Sequence, residues 1–269
     1  EMKSRAMERL SLESRLRKAL HDDQLLLQYQ PQISLVTGRV IGAEALVRWN
    51  DPERGLVPPS AFIPFAEESR LIVPLGEWVL RTACKQTKVW QQQGSGPSRI
   101  AVNLSARQFQ QHDLVDMVAR VLKDVSLDPS ALELEITETT AMQNGEVTVE
   151  VLRALRAIGV AISIDDFGTG YSSLNYLRRF PINAVKIDRE FVRDIATDEG
   201  DAAIVSAVIG MARNLGLRVV AEGVETIEQY AFLQNRQCDE AQGFFFSHPM
   251  HASAMTSTLG ELAAVRHSV

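Results

Sequence analysis

Two apolar runs in this chain end in carboxylates: residues 132–138 read Leu-Glu-Leu-Glu-Ile-Thr-Glu, and residues 161–166 read Ala-Ile-Ser-Ile-Asp-Asp. Runs this apolar and this short are buried strands rather than surface ones. Their acids are then delivered to one rim of a sheet or barrel. Carboxylates so close together raise one another's pKa and resist ionising together unless a cation lies between them. The fold must therefore gather several strand ends, and the site there is built for a divalent metal.

Strand-like and helix-like stretches alternate along the chain. Candidate strands are 25–34, 40–49, 100–104, 131–136, 161–165, 184–187, 218–221 and 238–246. Between them, Val151, Leu155 and Ile158 repeat at helical spacing, as do Ile204, Val208, Met211 and Leu215. Gly159 and Gly216 follow helix ends, where a left-handed cap is expected, and Pro181 stops the 171–179 stretch. Eight strands with intervening helices predict an α/β fold, a TIM-like (β/α)8 barrel. The first two strands are joined only by Leu35-Val36-Thr37-Gly38-Arg39, a hairpin length that is too short for a parallel crossover. One strand should therefore run antiparallel.

Composition narrows the function. A net charge of −6 argues against a nucleic-acid polymer as partner, since such a surface is usually basic. The two cysteines, Cys84 and Cys238, are far apart and in no zinc-binding spacing. No apolar run is long enough to cross a membrane and no signal peptide is visible, so this domain is expected in the cytoplasm without membrane contact. Residues 1–20 are polar and charge-mixed, with Leu10, Leu12, Leu16 and Leu20 along one side. They read as a linker helix arriving from an upstream domain, or else as a simple capping helix. Residues 21–269 form the domain proper.

In barrel enzymes the reacting groups sit at the carboxyl ends of strands. Those positions here hold Glu44 and Arg48, Asn103, Glu135 and Glu138, Asp165 and Asp166, Lys186 and Asp188, Glu222 and Glu225, and Gln242. Most are oxygen donors. Hard oxygen ligands without His or Cys suit Mg²⁺ or Mn²⁺. None of the histidines at 21, 112, 248, 251 and 266 ends a central strand, so no Ser–His–Asp arrangement presents itself. Asp165 and Asp166 are adjacent and would face opposite sides of a regular strand. Both reach one site only where the backbone turns, which Gly168 and Gly170 permit. Plainer readings stand beside these: Arg48 or Lys186 as rim salt bridges, Asn103 as a turn residue, Glu225 as a first-turn helix acid. Glu133 and Glu135 fall on the same side of their strand, so one must lie deeper, and spacing alone does not choose between them.

Several ordered motifs resemble one family. They are Tyr29-Gln30-Pro31, Glu44-Ala45-Leu46-Val47-Arg48-Trp49, Val102-Asn103-Leu104-Ser105, Glu135-Ile136-Thr137-Glu138, and the run 165–174 from Asp165-Asp166-Phe167-Gly168 onward. Val185-Lys186-Ile187-Asp188, Ala221-Glu222-Gly223-Val224-Glu225 and Gln242-Gly243-Phe244-Phe245-Phe246 complete the series. Together, over about 20–255, they are similar to the EAL domain family of cyclic di-GMP phosphodiesterases. A lone Glu-Ala-Leu would carry no weight; the ordered set does.

The resemblance implies hydrolysis of cyclic di-GMP to linear pGpG, with two Mg²⁺ or Mn²⁺ ions, and Ca²⁺, larger and tolerant of irregular coordination, should inhibit. It implies metal ligation by Glu44, Asn103, Glu135, Asp165 and Asp166, and favours Glu135 over Glu133. Lys186, Glu222, Glu138 and Gln242 take the catalytic roles, Lys186 at the attacking water and Glu138 as anchor of the 165–173 loop. Gln30, Leu46, Arg48, Asp188 and Glu225 take substrate contacts. It also implies a homodimer through the loop and helix after Asp166, and an upstream sensor or GGDEF-type domain that could be membrane-anchored. The other reading is a receptor module that binds cyclic di-GMP without turnover. Two positions depart from the family's pattern: Phe244 stands where tyrosine is common, and His248 where lysine is frequent.

Overall fold

Ten residues of β1 (Leu25–Ser34) fold back on β2 (Val40–Asp51), pairing Gln30 with Glu44 in antiparallel register. A computed structural model describes residues 12–94, 96–143, 145–170 and 174–256. After β2 come β3 (Gly55–Val57), β4 (Arg99–Leu104), β5 (Leu132–Thr137), β6 (Ala161–Phe167), β7 (Ala184–Ile187), β8 (Arg218–Ala221) and β9 (Glu240–Ala241). The sheet runs β1-β9-β8-β7-β6-β5-β4-β2, and the β1–β2 pairing closes it into an eight-stranded ring, with β3 appended to β2 outside it. From β2 through β9 the ring neighbours are parallel, and β1 is antiparallel to both β2 and β9. The short first hairpin dictates this orientation, as the sequence predicts.

The strands are buried on both faces, one lining the interior and the other covered by helices. Five of the six residues of β5 are buried. The helix Ile72–Gln92 turns Leu75, Val79, Ala83 and Trp90 onto the ring, and Trp90 meets Tyr29 of β1 edge-on at 4.9 Å. In the helix Glu199–Asn214 the buried stripe is Val205, Val208, Ile209 and Ala212, whereas Ile204 and Leu215 are partly exposed. The stripe is thus rotated from the one expected at 204, 208, 211 and 215. Helical residues 12–19 pack against the barrel through Leu16 and Ala19. Arg15 pairs there with Asp51 and covers the face of Trp49. Leu10 and Tyr171 lie outside the described residues.

The last strand is shorter than the 238–246 expected. Pairing stops at Ala241, and Phe244–Phe246 form a turn. Gly159 and Gly216 do adopt the left-handed conformation expected after a helix.

Candidate active site

Along β5, Glu133 and Glu135 share the inward face two residues apart, and the barrel separates them by depth. Glu133 lies low, among residues that begin their strands. It meets Arg99 at 3.0 Å and Arg218 at 2.7 Å, and Glu240 binds the same two arginines at 2.7 Å each. Burial pushes the Glu133 carboxyl up, but the charges of Arg99 and Arg218 outweigh it and hold the group below the usual range. The plainer structural role thus falls to Glu133, and the site to Glu135.

Glu135 is buried near the carboxyl end of β5 and accepts a hydrogen bond from Lys186 Nζ at 2.8 Å. Lys186, on β7, is almost fully enclosed. Its Nζ also lies 3.7 Å from Glu44, 3.4 Å from Asp165 and 2.6 Å from Glu222. Four strands, β2, β5, β6 and the end of β8, thereby aim carboxylates at one ammonium. Burial alone would lower the lysine pKa, yet Asp165, Glu135, Glu222 and Glu44 together raise it well above its ordinary value. Lys186 is therefore a fixed cation. The other side of this balance is a surplus of negative charge. Burial and neighbouring acids raise Glu135 well above the carboxylate range, and burial, offset in part by Lys186, lifts Glu222 to about 8.

Asp166 is brought to the same place by backbone geometry. Its φ of 54° puts it in the left-handed region, and its N–H turns back to Asp165 Oδ1 at 2.9 Å. Burial, the charge of Asp165 and a hydrogen bond with Asp188 raise its pKa to about 6. Asp165, Asp166 and Glu222 each place a carboxylate oxygen within 4.8 Å of the others. The chemistry fits a divalent cation: the donors are all oxygen, their charge exceeds that of Lys186, and buried Glu135 Oε1 has no hydrogen-bond partner among the described residues.

The amides line up behind the acids. Asn103 Nδ2 donates to Glu44 Oε1 at 2.6 Å, and Gln242 Nε2 donates to Glu44 Oε2 at 2.6 Å and to Gln30 Oε1 at 3.0 Å. Glu138, buried immediately beyond β5, accepts the Gly168 N–H at 2.9 Å and so holds the loop after Asp166.

A cavity of about 220 Å³ opens over this cluster, lined by Gln30, Glu44, Asp165, Glu222, Glu225, Gln242, Arg189 and Phe244. Of the expected substrate contacts, Gln30 and Glu225 reach it. Glu225 does not serve as the helix acid, since Thr226 caps the helix Ile227–Asn235 and Glu228 is its first-turn acid. Arg48 instead donates to Gln28 Oε1 at 2.9 Å, Leu46 is half-buried on β2, and Asp188 caps the helix Arg189–Arg193. Arg189 and Phe244 are cavity residues that reading strand ends did not single out. Arg189 follows Asp188 directly, so extending that reading by one residue would have found it.

The EAL domain family profile matches residues 13–249. Over 258 residues, 96% of the chain, it is 49% identical to the bifunctional diguanylate cyclase/cyclic di-GMP phosphodiesterase MucR of Pseudomonas aeruginosa. It is 44% identical over 254 residues to the cyclic di-GMP phosphodiesterase PdeR of Escherichia coli. The chain spans 38% of the length of each of these two relatives. Among solved structures, the PaMucR phosphodiesterase in complex with c-di-GMP superposes with a TM-score of 0.88 at 50% identity, covering 91% of this chain and 99% of that one.

Proposed function

The chain belongs to the EAL domain family, and on that premise we propose that it hydrolyses one phosphodiester bond of cyclic di-GMP to give linear pGpG. The observation that carries this reading is the buried Lys186 ammonium among four carboxylates, on β2, β5, β6 and just beyond β8, beside the Asp165–Asp166–Glu222 cluster. The names of the relatives at 44–49% identity support the choice of substrate.

In this reading Glu44, Asn103, Glu135 and Asp165 hold one Mg²⁺ or Mn²⁺, and Asp165, Asp166 and Glu222 hold a second. Bound there, the cations would neutralise phosphate oxygens and lower the pKa of water. The protein's own part is positional. Lys186, which stays protonated, orients the attacking water toward phosphorus by donating to its oxygen. Asn103 and Gln242 fix the Glu44 carboxylate through its two oxygens, so its orientation is set before substrate arrives. Glu138 is a positioning residue: its bond to Gly168 keeps Asp166 in the turn that brings it beside Asp165. Water adds to one phosphorus, one ester P–O bond breaks, and the ring opens to a 5′-phosphate and a free 3′-hydroxyl. Arg48 and Asp188, outside the cavity lining, are assigned to the outer parts of the substrate, with Leu46 on the same strand as Arg48.

Ca²⁺ inhibits in this scheme, because it is larger and accepts irregular coordination. The segment after Asp166 is assigned to a homodimer contact, and the domain to a longer cytoplasmic or membrane-tethered protein with a sensor or GGDEF-type partner. No helix among the described residues is long and apolar enough to cross a membrane. Chromatography of cyclic di-GMP incubated with the protein and Mg²⁺ or Mn²⁺ tests the reading. The expected result is pGpG that disappears when Ca²⁺ replaces the activating ion. Stoichiometric binding with no pGpG in either metal overturns it in favour of a receptor.

A further inference from the structure

Two helices at the mouth of the barrel begin with the same cap. Ser105 and Thr226 each accept the backbone N–H of the glutamine three residues on, Gln108 and Gln229, and each glutamine side chain reaches back to the backbone N–H of its cap residue. Both glutamines are buried. A carboxamide so placed satisfies helix-start N–H groups that have no partner within the helix. The two differ in what else they hold. Gln108 Oε1 accepts from the Ser105 N–H at 3.2 Å and from its Oγ at 2.9 Å, so these bonds stay inside one cap. Gln229 Oε1 accepts two consecutive N–H groups, from Glu225 at 2.6 Å and Thr226 at 3.0 Å. Its Nε2 donates to Arg193 O at 2.8 Å, on another element.

The partners of Gln229 belong to two segments that lead to the acids. On one side, residues 222–226 join β8 to the helix Ile227–Asn235 and begin with Glu222, whose carboxylate lies 2.6 Å from Lys186. On the other, Arg193 ends the helix Arg189–Arg193, which Asp188 caps, and Asp188 shares a hydrogen bond with Asp166. One carboxamide therefore ties the segment after Asp188 to the segment after Glu222. The carboxylates of Asp165, Asp166 and Glu222 converge beside these two segments.

The first half of the 222–226 loop has other anchors. Glu222 N–H donates to Ile187 O and Val224 N–H to Gln242 O, each at 3.1 Å. Gly223 turns between them with a φ of 67°. The second half, Glu225 and Thr226, is exposed, and both of its N–H groups end on Gln229. Gln229 itself is not part of the cavity lining.

We propose that Gln229 is a positioning residue for the cation site: by tying the 222–226 loop to the helix Arg189–Arg193 it sets the distance of Glu222 from the Asp165–Asp166 pair. The assignment rests on the reading of these acids as the metal centre of a cyclic di-GMP hydrolase.

The experiment compares Gln229→Met, Gln229→Glu and Gln108→Met with the unaltered chain. Gln229→Met keeps the length of the side chain and removes all three bonds. Gln229→Glu keeps an acceptor for Glu225 and Thr226 and loses the donor to Arg193. Mn²⁺ is titrated into metal-free protein and the free ion is followed by its electron paramagnetic resonance signal, a readout independent of turnover. Gln229→Met should weaken Mn²⁺ binding about tenfold and raise the Mg²⁺ needed for half-maximal pGpG formation by a similar factor, with KM for cyclic di-GMP at saturating metal within about twofold. Gln229→Glu should regain Tm, because its cap is intact, yet bind Mn²⁺ as weakly as Gln229→Met. Gln108→Met should lower Tm as Gln229→Met does, with Mn²⁺ binding within about twofold of the unaltered chain. Unchanged Mn²⁺ binding in Gln229→Met or Gln229→Glu overturns the tie, and equal weakening in Gln108→Met reduces it to general loosening. Should Gln229→Met fail to fold, Gln229→Glu carries the test. Absence of pGpG from the unaltered chain defeats hydrolysis and leaves the Mn²⁺ comparison standing; absence of Mn²⁺ binding defeats both.

Discussion

At the floor of the barrel Glu133 and Glu240 meet Arg99 and Arg218 in a closed ring of ion pairs, with two charges of each sign. At the mouth a single ammonium, Lys186, faces Glu44, Glu135, Asp165 and Glu222. Both layers are largely buried and both set carboxylates against basic side chains, arginines at the floor and a lysine at the mouth. They differ in whether charge is neutralised inside the chain. The floor is complete, its acid held ionised by two guanidiniums. At the mouth, burial first and then the neighbouring acids raise the pKa of Glu222 and Asp166, and a cation from outside is what would relieve the remaining negative surplus. A buried acid by itself is therefore no sign of function; an uncompensated group of them is.

The largest effect that tests this division is at the mouth. Asp165→Asn should lower pGpG formation on the order of a thousandfold while cyclic di-GMP binding falls far less. Near-normal turnover at moderate Mg²⁺ would remove Asp165 from the metal centre. The matching change at the floor, Glu133→Gln, should do the opposite. Breaking a buried pair while leaving two arginines behind should cost about 3 kcal/mol in urea unfolding, with activity per folded molecule near that of the unaltered chain. Loss of activity without loss of stability would show that the two layers are not separate.

A smaller effect is expected where the mouth is held rather than built. Glu138→Ala removes the acceptor of the Gly168 N–H, and activity should fall on the order of tenfold as Asp166 leaves its turn. Unchanged kinetics, measured across Mg²⁺ concentrations, would show that the loop has another anchor.

The smallest effect is in the pH dependence of the metal-free protein. Glu222, at about 8, and Asp166, at about 6, hold protons more tightly folded than unfolded. Their contribution favours the folded state below the unfolded carboxylate values of about 4 and is lost as pH rises through 6 and 8. Glu133 has the opposite sign: its contribution is full above about 4 and lost only on acidification below that. Tm without metal should therefore fall between pH 5 and pH 8, and Mg²⁺ should raise it more at pH 8 than at pH 5. Calorimetry showing a metal-free Tm that climbs over this interval would contradict the surplus of charge at the mouth.

Much of this arrangement is legible in the chain itself. Strand runs ending in acids, a five-residue first hairpin and the spacing of the motifs determine a barrel with one antiparallel strand. They also determine which rim carries Glu44, Glu135, Asp165 and Lys186, because a strand's period fixes which side chains share a face. Three matters were settled only by tertiary structure. Glu133 and Glu135 have identical local patterns; the family motif favours Glu135, but only the depth of Arg99 and Arg218 in the closed ring gives Glu133 its place at the floor. The stripe of the helix Glu199–Asn214 is set by where the barrel lies beneath it, not by its own periodicity. Phe244 is indistinguishable in sequence from Phe245 and Phe246. Tyr230, brought up from another part of the chain, stacks on Phe245 and meets Phe246 edge-on and leaves Phe244 at the cavity, and such contacts between distant residues are not contained in local sequence.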